Sequence, residues 1–504
     1  MSGAGRLLDR LERASDLLSP IVVKEVRQIV RGREFVSAFG ATLVAGLAIA
    51  FFSAADAVSG SGTAGRWAFG ALMSCLAVLG LAIVPLGAFN ALRIERLEQT
   101  LELITLTALT PRRVVIGKLL AQAVKLVTLF AAMAPFIAMS FLLGGIDFLT
   151  ILLLLAILFI GSLWMSSAAL FLSSLLKSRA MVGLAFAGGI LVLFFVFGVG
   201  RGLMFYLSRG VFTLGPVFGI GFTDPWWALA ALTTFCLATM VNLVLLAENR
   251  LALAAPNRVT PLRVGFLVQF LLIVAWALSF IKTPATVRPE AVMMLGVLGG
   301  LHLALVAMFA VTEDLVVARP PVGSRRRLLG PFYPGGGRGA LYVLAQMAIL
   351  MGAAWLLEPE PVLMRWLLAI CGYICFFTGV PTIAVRALRP EGTASLRLRV
   401  AIVVLLPVSL LLPDILYYVL WRPEAMDLSY AARHLFNPIR TLANWPLVES
   451  VEWSTVPFAL GVLGVLAYLG LSHLGRQVTV EMVSTAPQAA RAEAGDPGSA
   501  GALY

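Results

Sequence analysis

Residues Glu95–Lys118 read ERLEQTLELITLTALTPRRVVIGK, and they separate two apolar runs that are each long enough to cross a bilayer. A connection between neighbouring helices needs only about 2–8 residues, so this segment is longer than a turn requires. Its apolar residues and its glutamates both recur at helical spacing, which predicts a short amphipathic helix. The apolar face comprises Leu97, Leu101, Ile104 and Ala108, and the acidic stripe comprises Glu95, Glu98 and Glu102.

A second helix is predicted directly after this amphipathic one. Thr110 is a good N-cap residue, and Pro111 is favoured at the first helical position. Arg112, Arg113 and Lys118 follow where that helix would re-enter the membrane. The sequence therefore predicts a charged segment held at the membrane surface between two spans, a form typical of a docking element for a soluble partner.

The composition indicates an all-α polytopic membrane protein. Of the 504 residues, 60% are hydrophobic and 13% are charged, and the mean hydropathy is +0.94. A soluble domain has about 45–50% apolar and about 25% charged residues. No stretch is polar and long enough for a soluble domain, which excludes a fused ATPase. No P-loop motif occurs either, because Gly117-Lys118 is followed by Leu119 rather than by Ser or Thr.

Charge and cysteine content exclude further classes. A net charge of +12 is expected for a membrane protein whose basic residues collect in cytoplasmic loops, so we expect no nucleic acid partner. The four cysteines lie in apolar runs and are expected to be small buried residues. We therefore predict no metal site and no disulfide framework in this chain.

About twelve apolar runs are long enough to cross a membrane as helices. Basic residues are concentrated before the first run and in the even-numbered loops, which predicts an inner (plasma) membrane protein with both termini cytoplasmic. The tail after residue 478 is rich in Ala, Gly and Pro and is predicted to be disordered. The predicted spans are residues 36–55, 68–90, 118–144, 148–175, 180–204, 226–247, 264–282, 292–312, 340–357, 362–385, 399–420 and 455–474.

The segment before the first span is predicted to be an interfacial helix that opens at Ser19-Pro20. A basic amphipathic helix without spanning length lies in the plane of the membrane surface. The predicted apolar face comprises Leu18, Val22, Val26, Ile29 and Val30, and the basic face comprises Lys24, Arg27, Arg31 and Arg33.

The spans divide into two halves of similar layout, which is common in transporters. A long cytoplasmic loop follows the second span of each half, and the loop of the second half is Glu313–Gly339. Long outer segments, Tyr206–Trp226 and Arg422–Trp453, precede the last span of each half and are predicted to be re-entrant or interfacial. The predicted domains are an N-terminal segment (1–35), a first six-span half (36–250), a second six-span half (251–478) and a tail (479–504).

The first half resembles the permease of ABC-2 type (type V) ABC transporters. Members of that family carry, after the second span, a run of the general form E-R-E-x-G-T-L-E-L-L-x-T-x-P-x-x-x-x-x-x-G-K. The segment Glu95–Lys118 is similar to this run, with Leu97 at the second acidic position and Gln99 in place of Gly as departures. The interfacial helix is similar to a family helix before the first span, and it shares Pro20, Lys24 and Glu25.

The resemblance implies a transport subunit of an ABC exporter rather than an enzyme. In the family this run is a coupling helix that docks on a separate ATP-binding subunit, and that partner binds the ATP and magnesium. Membrane lipid surrounds the spans. One chain with two ATPases suffices if both halves are transport units, and a second permease chain is needed if only the first half couples. The residues expected to couple are Glu95, Glu98, Leu101, Glu102, Ile104, Pro111, Arg112, Arg113 and Lys118.

Ionisable residues within spans are candidates for a transport path. Lys125 is interpreted as snorkelling to the cytoplasmic interface, with a place on the path as the alternative. His302 and Asp414 either face a path or pair with neighbouring residues. Gly335–Gly337 is interpreted as a flexible lead into the ninth span, and the alternative is a phosphate-binding turn.

Two other classes of function fit the composition. A gradient-driven secondary transporter would use carboxylates within its spans, and Asp414 is the main candidate for such a group. A membrane-embedded enzyme would need a site such as His434 with Asp427 or Glu424, because no H-E-x-x-H motif occurs. The residues do not identify the substrate under any of these hypotheses.

Overall fold

The structure is a computed structural model. It describes residues 20–58, 64–97, 111–144, 147–175, 225–251, 259–282, 288–313, 330–358, 360–388, 434–450 and 453–485, with residue 431 and several single positions between 398 and 416. Every regular element in these ranges is a helix, as the predicted all-α membrane protein requires.

The chain divides into two compact units, Met1–Ala255 and Pro256–Tyr504, close to the boundary predicted between the halves. The helices described in unit 1 are α1 (Pro20–Arg31), α2 (Arg33–Val58), α3 (Ala64–Val78), α4 (Val84–Leu97), α5 (Pro111–Leu142), α6 (Phe148–Leu175) and α7 (Pro225–Leu251). Those described in unit 2 are α8 (Val259–Leu278), α9 (Arg288–Met294), α10 (Gly300–Ala310), α11 (Gly336–Leu357), α12 (Pro361–Leu388), α13 (Pro438–Ala443), α14 (Trp445–Ser450) and α15 (Thr455–Thr485).

Ten stretches of helix in the described residues are long and apolar enough to cross a membrane. They coincide with ten of the predicted spans, and the chain is a polytopic membrane protein. The predicted fifth span, 180–204, lies outside the described residues, and so does most of the eleventh, 399–420.

The predicted break between the third and fourth spans is confirmed. Gly144 adopts a positive φ of 72°, a conformation that glycine adopts without strain. Asp147 then caps α6, because its carboxylate accepts hydrogen bonds from the Thr150 amide at 2.9 Å and from the Thr150 hydroxyl at 2.6 Å. The hydroxyl bond holds the pKa of the Asp147 carboxyl below its usual range.

The second span of each unit contains a π-helical segment. In unit 1 it is Leu79–Ile83, between α3 and α4, and in unit 2 it is Leu295–Gly299, between α9 and α10. A π-helical turn widens the helix and changes the direction in which the side chains on either side of it point. The two units therefore share the same backbone irregularity at the same place in the order of spans.

The second residue of each π-helical segment is a glycine that approaches the fourth span of its own unit. A methyl group at Gly80 would lie 2.3 Å from the hydroxyl oxygen of Ser162 in α6, and one at Gly296 would lie 2.3 Å from the Trp366 ring in α12. Neither position has room for a larger side chain. This shared contact supports the repeat of the two halves more directly than the loop lengths do.

The third span is the centre of each unit. In unit 1, α5 packs against α2, against the second span, and against α6 and α7. In unit 2, α11 packs against α8, against the second span, and against α12 and α15. Each unit therefore arranges its described first, second, fourth and sixth spans around its third.

Among the described helices of unit 2, α12 and α15 pack most closely, and glycines set their spacing. A methyl group at Gly372 would lie 3.0 Å from the Cα atom of Gly461, and one at Gly464 would lie 2.4 Å from backbone atoms of Cys375 and Phe376. Small residues allow the backbones of membrane helices to approach, and van der Waals packing then holds the helices together.

We expect Gly464→Ala to lower the free energy of unfolding by about 1–3 kcal/mol, because the added methyl group meets backbone atoms that cannot move aside. The matched control is Gly352→Ala on α11, where nothing lies within 4 Å of the added group. The control should raise helix stability by about 1 kcal/mol, the usual difference between Ala and Gly. Unfolding of the purified chain in detergent measures both changes, and equal effects would contradict the packing argument.

Candidate functional site

Three charged residues meet at the end of unit 1 that carries the amphipathic segment. Lys118 Nζ lies 2.9 Å from a carboxylate oxygen of Glu25 and 2.8 Å from one of Glu95. The same ammonium donates to the carbonyl oxygen of Ala91 at 3.3 Å. Lys118 is 1% exposed and Glu25 is 5% exposed, so this is a buried ionic cluster. We call Glu25, Lys118 and Glu95 the clasp.

The clasp joins three helices around the predicted docking segment. Glu95 lies in the last turn of α4, Lys118 lies in the third turn of α5, and Glu25 comes from α1. The residues between α4 and α5, numbers 98–110, lie outside the described part of the chain. The clasp therefore holds together the two helices that lead into and out of that segment, and it ties both to the N-terminal helix.

The sequence pattern predicts coupling roles for Glu95 and Lys118 but not the ion pair that joins them. Glu25 entered the sequence argument only as a residue shared with the family helix, whereas the structure shows it paired with Lys118. The sequence could have indicated this ion pair, because Glu25 lies beside Val22 and Val26 on the side of α1 predicted to be apolar. A lone acid on an apolar helix face predicts a buried cationic partner.

The predicted faces of α1 need one correction. Val30, assigned to the apolar face, is 44% exposed, whereas Val22 is buried as predicted. Glu25, which was not assigned to that face, is also buried on the side of α1 that packs towards α5. Because Glu25 pairs with Lys118 on α5, α1 is rotated about its axis so that Glu25 faces α5. Hydrophobic periodicity contains no information about such a partner. The predicted basic residues Lys24, Arg27 and Arg31 are exposed, as expected.

The other predicted coupling residues divide into two groups. Pro111 begins α5, and Arg112 and Arg113 are exposed in its first turn, next to the predicted segment. The remaining predicted coupling residues lie outside the described part of the chain; they are Glu98, Leu101, Glu102 and Ile104. Their docking role stays a prediction.

Unit 2 has a buried ion pair at the corresponding end of its second span. Arg263 on α8 donates to a carboxylate oxygen of Glu313 at 2.7 Å, and Glu313 follows the last turn of α10. The same oxygen accepts a bond of 2.9 Å from the amide of Gly335, just before α11. Burial raises the pKa of the Glu313 carboxyl, and Arg263 opposes that rise because it favours the ionised form.

Arg263 also fixes the chain that leads into α11. Its guanidinium donates to the carbonyl oxygens of Pro331, Tyr333 and Gly335, the last at 3.2 Å. Arg263 thus links the end of the second span to the start of the third. In unit 1, Lys118 links the same two spans, because it lies on the third and pairs with Glu95 at the end of the second. The sequence places Glu313 only at the start of the long loop of the second half, and its pattern does not predict the ion pair with Arg263.

Two further arginines cap the C-terminal end of α10. Arg386 donates to the carbonyl oxygens of Thr312 and Glu313, both at 3.3 Å, and Arg399 donates to that of Phe309 at 3.3 Å. The last carbonyl groups of a helix lack partners within it and carry partial negative charge, so cationic donors stabilise them. These contacts hold the end of the second span to α12 and to the chain after it.

The glycines at the start of α11 are packing residues. Gly335 has a φ of 125°, which favours glycine there. A methyl group at Gly336 would lie 2.7 Å from the Val311 carbonyl oxygen, and one at Gly337 would lie 2.5 Å from that of Leu471 in α15. The interpretation of Gly335–Gly337 as a flexible lead is therefore wrong, and the Gly335 amide, which a phosphate-binding turn would use, already donates to Glu313.

The predicted path residues have different surroundings. Lys125 is 5% exposed and its ammonium lies next to Gly87 on α4, and its snorkelling to the cytoplasmic interface stays a prediction. His302 stacks on Phe270 with ring centroids 5.6 Å apart and meets the edge of Phe266 at 6.1 Å, and its Nε2 has no hydrogen-bond partner in the described part of unit 2. Asp414 lies outside the described residues.

His434, considered for an enzymatic site, has structural contacts. It is fully buried, its Nδ1 lies 2.9 Å from the Ala431 amide, and its Nε2 lies 2.7 Å from the Arg440 guanidinium. The Thr441 hydroxyl donates to its carbonyl oxygen at 2.9 Å. These bonds organise the turn before α13, while Asp427 and Glu424 lie outside the described residues.

Compared with known proteins, the chain matches no family model, no curated protein and no solved structure. Among the residues that the structure describes, no group of three or more His, Cys, Asp and Glu side chains is arranged to hold a metal ion. The clasp and the Arg263–Glu313 pair are therefore the strongest candidates for functional polar groups, on the geometry alone.

We expect Lys118→Met to lower the free energy of unfolding by about 3–5 kcal/mol, because it leaves two carboxylates buried without their cation. Adding Glu25→Gln and Glu95→Gln to that variant should recover most of the loss, since no uncompensated charge then remains. Lys24→Met, which removes an exposed lysine from α1, is the matched control and should change stability little. A similar loss in the control and in Lys118→Met, measured by unfolding in detergent, would contradict the buried clasp.

Proposed function

We propose that the chain is the transport subunit of an ABC exporter of the ABC-2 type, with ATP hydrolysed by separate subunits. About twelve spans cross the membrane in this proposal, and both termini are cytoplasmic. One observation carries it. The first and last residues of the family-like run, Glu95 and Lys118, are bonded to each other in a buried cluster, so the helices that flank the run are held as one frame.

A rigid frame is what a coupling segment needs. ATP binding closes two ATPase subunits, and a helix docked in their clefts moves with them. Leu101 and Ile104 would supply the apolar contact, and Glu98 and Glu102 the polar rim. Because the clasp joins α4, α5 and α1 through buried charges, displacement of the segment would move these helices together rather than bend the connection.

The second unit supports a stoichiometry of one chain to two ATPase subunits. It repeats the central third span, the π-helical second span with its glycine contact, and a buried acid at the end of that span. These shared features support a second transport unit within the same chain. A complex of two half-transporters in one polypeptide then needs no second permease chain.

The distribution of carboxylates favours this proposal over a gradient-driven transporter. In the ten described spans, each Asp or Glu lies within the first or last few residues of its helix, as Glu34, Asp56, Glu95 and Glu248 do. Ion-coupled transporters place ionisable groups near the middle of the bilayer. The described spans offer no carboxylate at that depth.

Purification of the chain from its native membrane in mild detergent tests the proposal. A P-loop ATPase should accompany the native chain and should be lost from the variant Glu98→Arg, Leu101→Asp, Glu102→Arg, because the substitutions reverse the charge and remove the apolar contact. The matched control is Glu360→Arg with Leu447→Asp, which makes the same kinds of change in segments predicted to be on the outer side.

The control should retain the ATPase, and two ATPase copies per chain are expected in the native complex. Absence of any ATPase from a stably folded native chain would overturn the proposed function. One ATPase per chain, with two chains per complex, would instead overturn the second transport unit while leaving the coupling segment in place.

A further inference from the structure

The short helices α13 and α14 lie along the first part of α12. The Trp366 indole N–H donates to the carbonyl oxygen of Leu442 at 3.0 Å, and the Tyr373 hydroxyl donates to that of Leu435, just before α13. Tyr373 follows Trp366 by seven residues, which is about 10 Å along the axis of α12. The chain from Leu435 to Leu442 therefore runs back along α12, towards the N-terminal end of that helix.

The charges of α12 place this segment relative to the membrane. Arg365 and Arg386 are separated by the uncharged residues 366–385, whose helical length is about 30 Å, the thickness of the hydrocarbon core. Arg365 pairs with Glu449 of α14, so this ion pair lies at one edge of the core. Leu435 lies about 5–10 Å inside that edge, because its tyrosine partner is inclined back towards the N-terminus of α12.

Tryptophans lie at the same edge. Trp445 is buried against Ala369 of α12, and Trp366 and Trp453 pack against the cluster that these two residues form. Tryptophan is enriched where a membrane meets water. The aromatic residues and the charges of α12 therefore place the edge of the core at the same level of unit 2.

The polar side chains of α13 are turned towards the protein. Asn437 is 2% exposed and Thr441 is fully buried. The Asn437 side-chain oxygen accepts from the Arg440 amide at 2.9 Å, and the Thr441 hydroxyl donates to the His434 carbonyl oxygen at 2.9 Å. Protein groups thus satisfy polar atoms that water would satisfy at an aqueous surface, as an element within a membrane requires.

The outward face of the same segment is apolar. Phe436 is 52% exposed, Ile439 is 61% exposed and Leu447 is 45% exposed, and Ala443 is also exposed. A helix that faces water carries polar residues on its outward side. We call these four residues the outward face.

We propose that the outward face binds the acyl chains of one membrane leaflet, with α13 and α14 as a re-entrant helix pair. Interfacial helices bury their apolar side about 5–10 Å into the boundary between headgroups and acyl chains, the depth at which Leu435 lies. Under the predicted orientation this is the outer leaflet. The proposal does not depend on an ATPase partner.

Spin labels on the outward face measure its depth. The full chain, with its four native cysteines replaced by alanine, is labelled at Phe436→Cys, Ile439→Cys or Leu447→Cys and reconstituted in phosphatidylcholine nanodiscs. Oxygen concentrates among acyl chains and a nickel chelate stays in water. The ratio of their effects on the saturation of the label's spectrum therefore reports depth.

Two further positions calibrate that ratio. Val462 on α15 is 60% exposed, and its neighbour Gly461 packs against Gly372 of α12, so Val462→Cys is a lipid-facing reference at the level of Tyr373. Lys24→Cys, on the exposed face of α1, is the water-facing reference.

The oxygen-to-nickel ratio should fall in a fixed order. It should be highest on the outward face at Phe436, where it approaches the value at Val462, lower at Ile439, and several-fold lower at Leu447. This gradient is expected because the segment rises from inside the core to its edge. The ratio at Lys24 should be the lowest of all.

Two results would overturn the proposal. A ratio at Phe436 and Ile439 as low as that at Lys24 would show that the outward face meets water. Poor access of both reagents to these labels would show that another part of the chain, or a second copy, covers the face.

A second measurement needs no substitution and keeps the test decisive if the cysteine-free chain does not fold. The native chain is irradiated in nanodiscs that contain phosphatidylcholine with a diazirine in its acyl chain, and labelled residues are mapped by mass spectrometry. Label is expected at Phe436 and Ile439 as well as at Val462. Label at Val462 without label at Phe436 or Ile439 would overturn the proposal.

Discussion

The buried ammonium of Lys118 is the interaction on which one end of unit 1 depends. It lies between Glu25 and Glu95, and these residues come from three different helices. A buried ion pair contributes little net stability compared with apolar residues of the same volume, but it penalises every arrangement in which one partner is missing. The clasp thus specifies how α1, α4 and α5 meet. This end of the unit is where the predicted coupling segment joins the membrane helices, so a unique arrangement matters there.

Unit 2 meets the same requirement with different chemistry. Arg263 bonds Glu313 and also three carbonyl groups of the chain that leads into α11. A planar guanidinium with five N–H donors can bind several acceptors at once, which a lysine ammonium on a flexible stem does less well. The acid at the end of the second span is common to both units, while the cation comes from the third span in one and from the first span in the other. The two units therefore repeat the same arrangement of helices, but they do not repeat the same residues at corresponding positions.

Polar contacts and close backbone packing specify this protein more than hydrophobic burial does. The lipid-facing surfaces and the interior are both apolar, so the hydrophobic effect distinguishes them poorly within a bilayer. Glycines instead set the spacing of α12 and α15, and they set the approach of each π-helical segment to the fourth span. Buried polar atoms that have no hydrogen-bond partner among the described residues, such as the Gln122 amide oxygen, stand out against this background, because each carries a cost that a partner would remove.

The sequence by itself determined that the chain is an all-α membrane protein, and it located ten described spans and the break between residues 144 and 148. Runs of apolar residues and local turn chemistry are sufficient for these features, because each depends on neighbours in the chain. Only the tertiary structure decided that Glu25 is buried, that Glu313 forms an ion pair with Arg263, and that Gly335–Gly337 pack against backbone. These outcomes depend on residues from 22 to more than 130 positions apart, and helical periodicity carries no information about such partners.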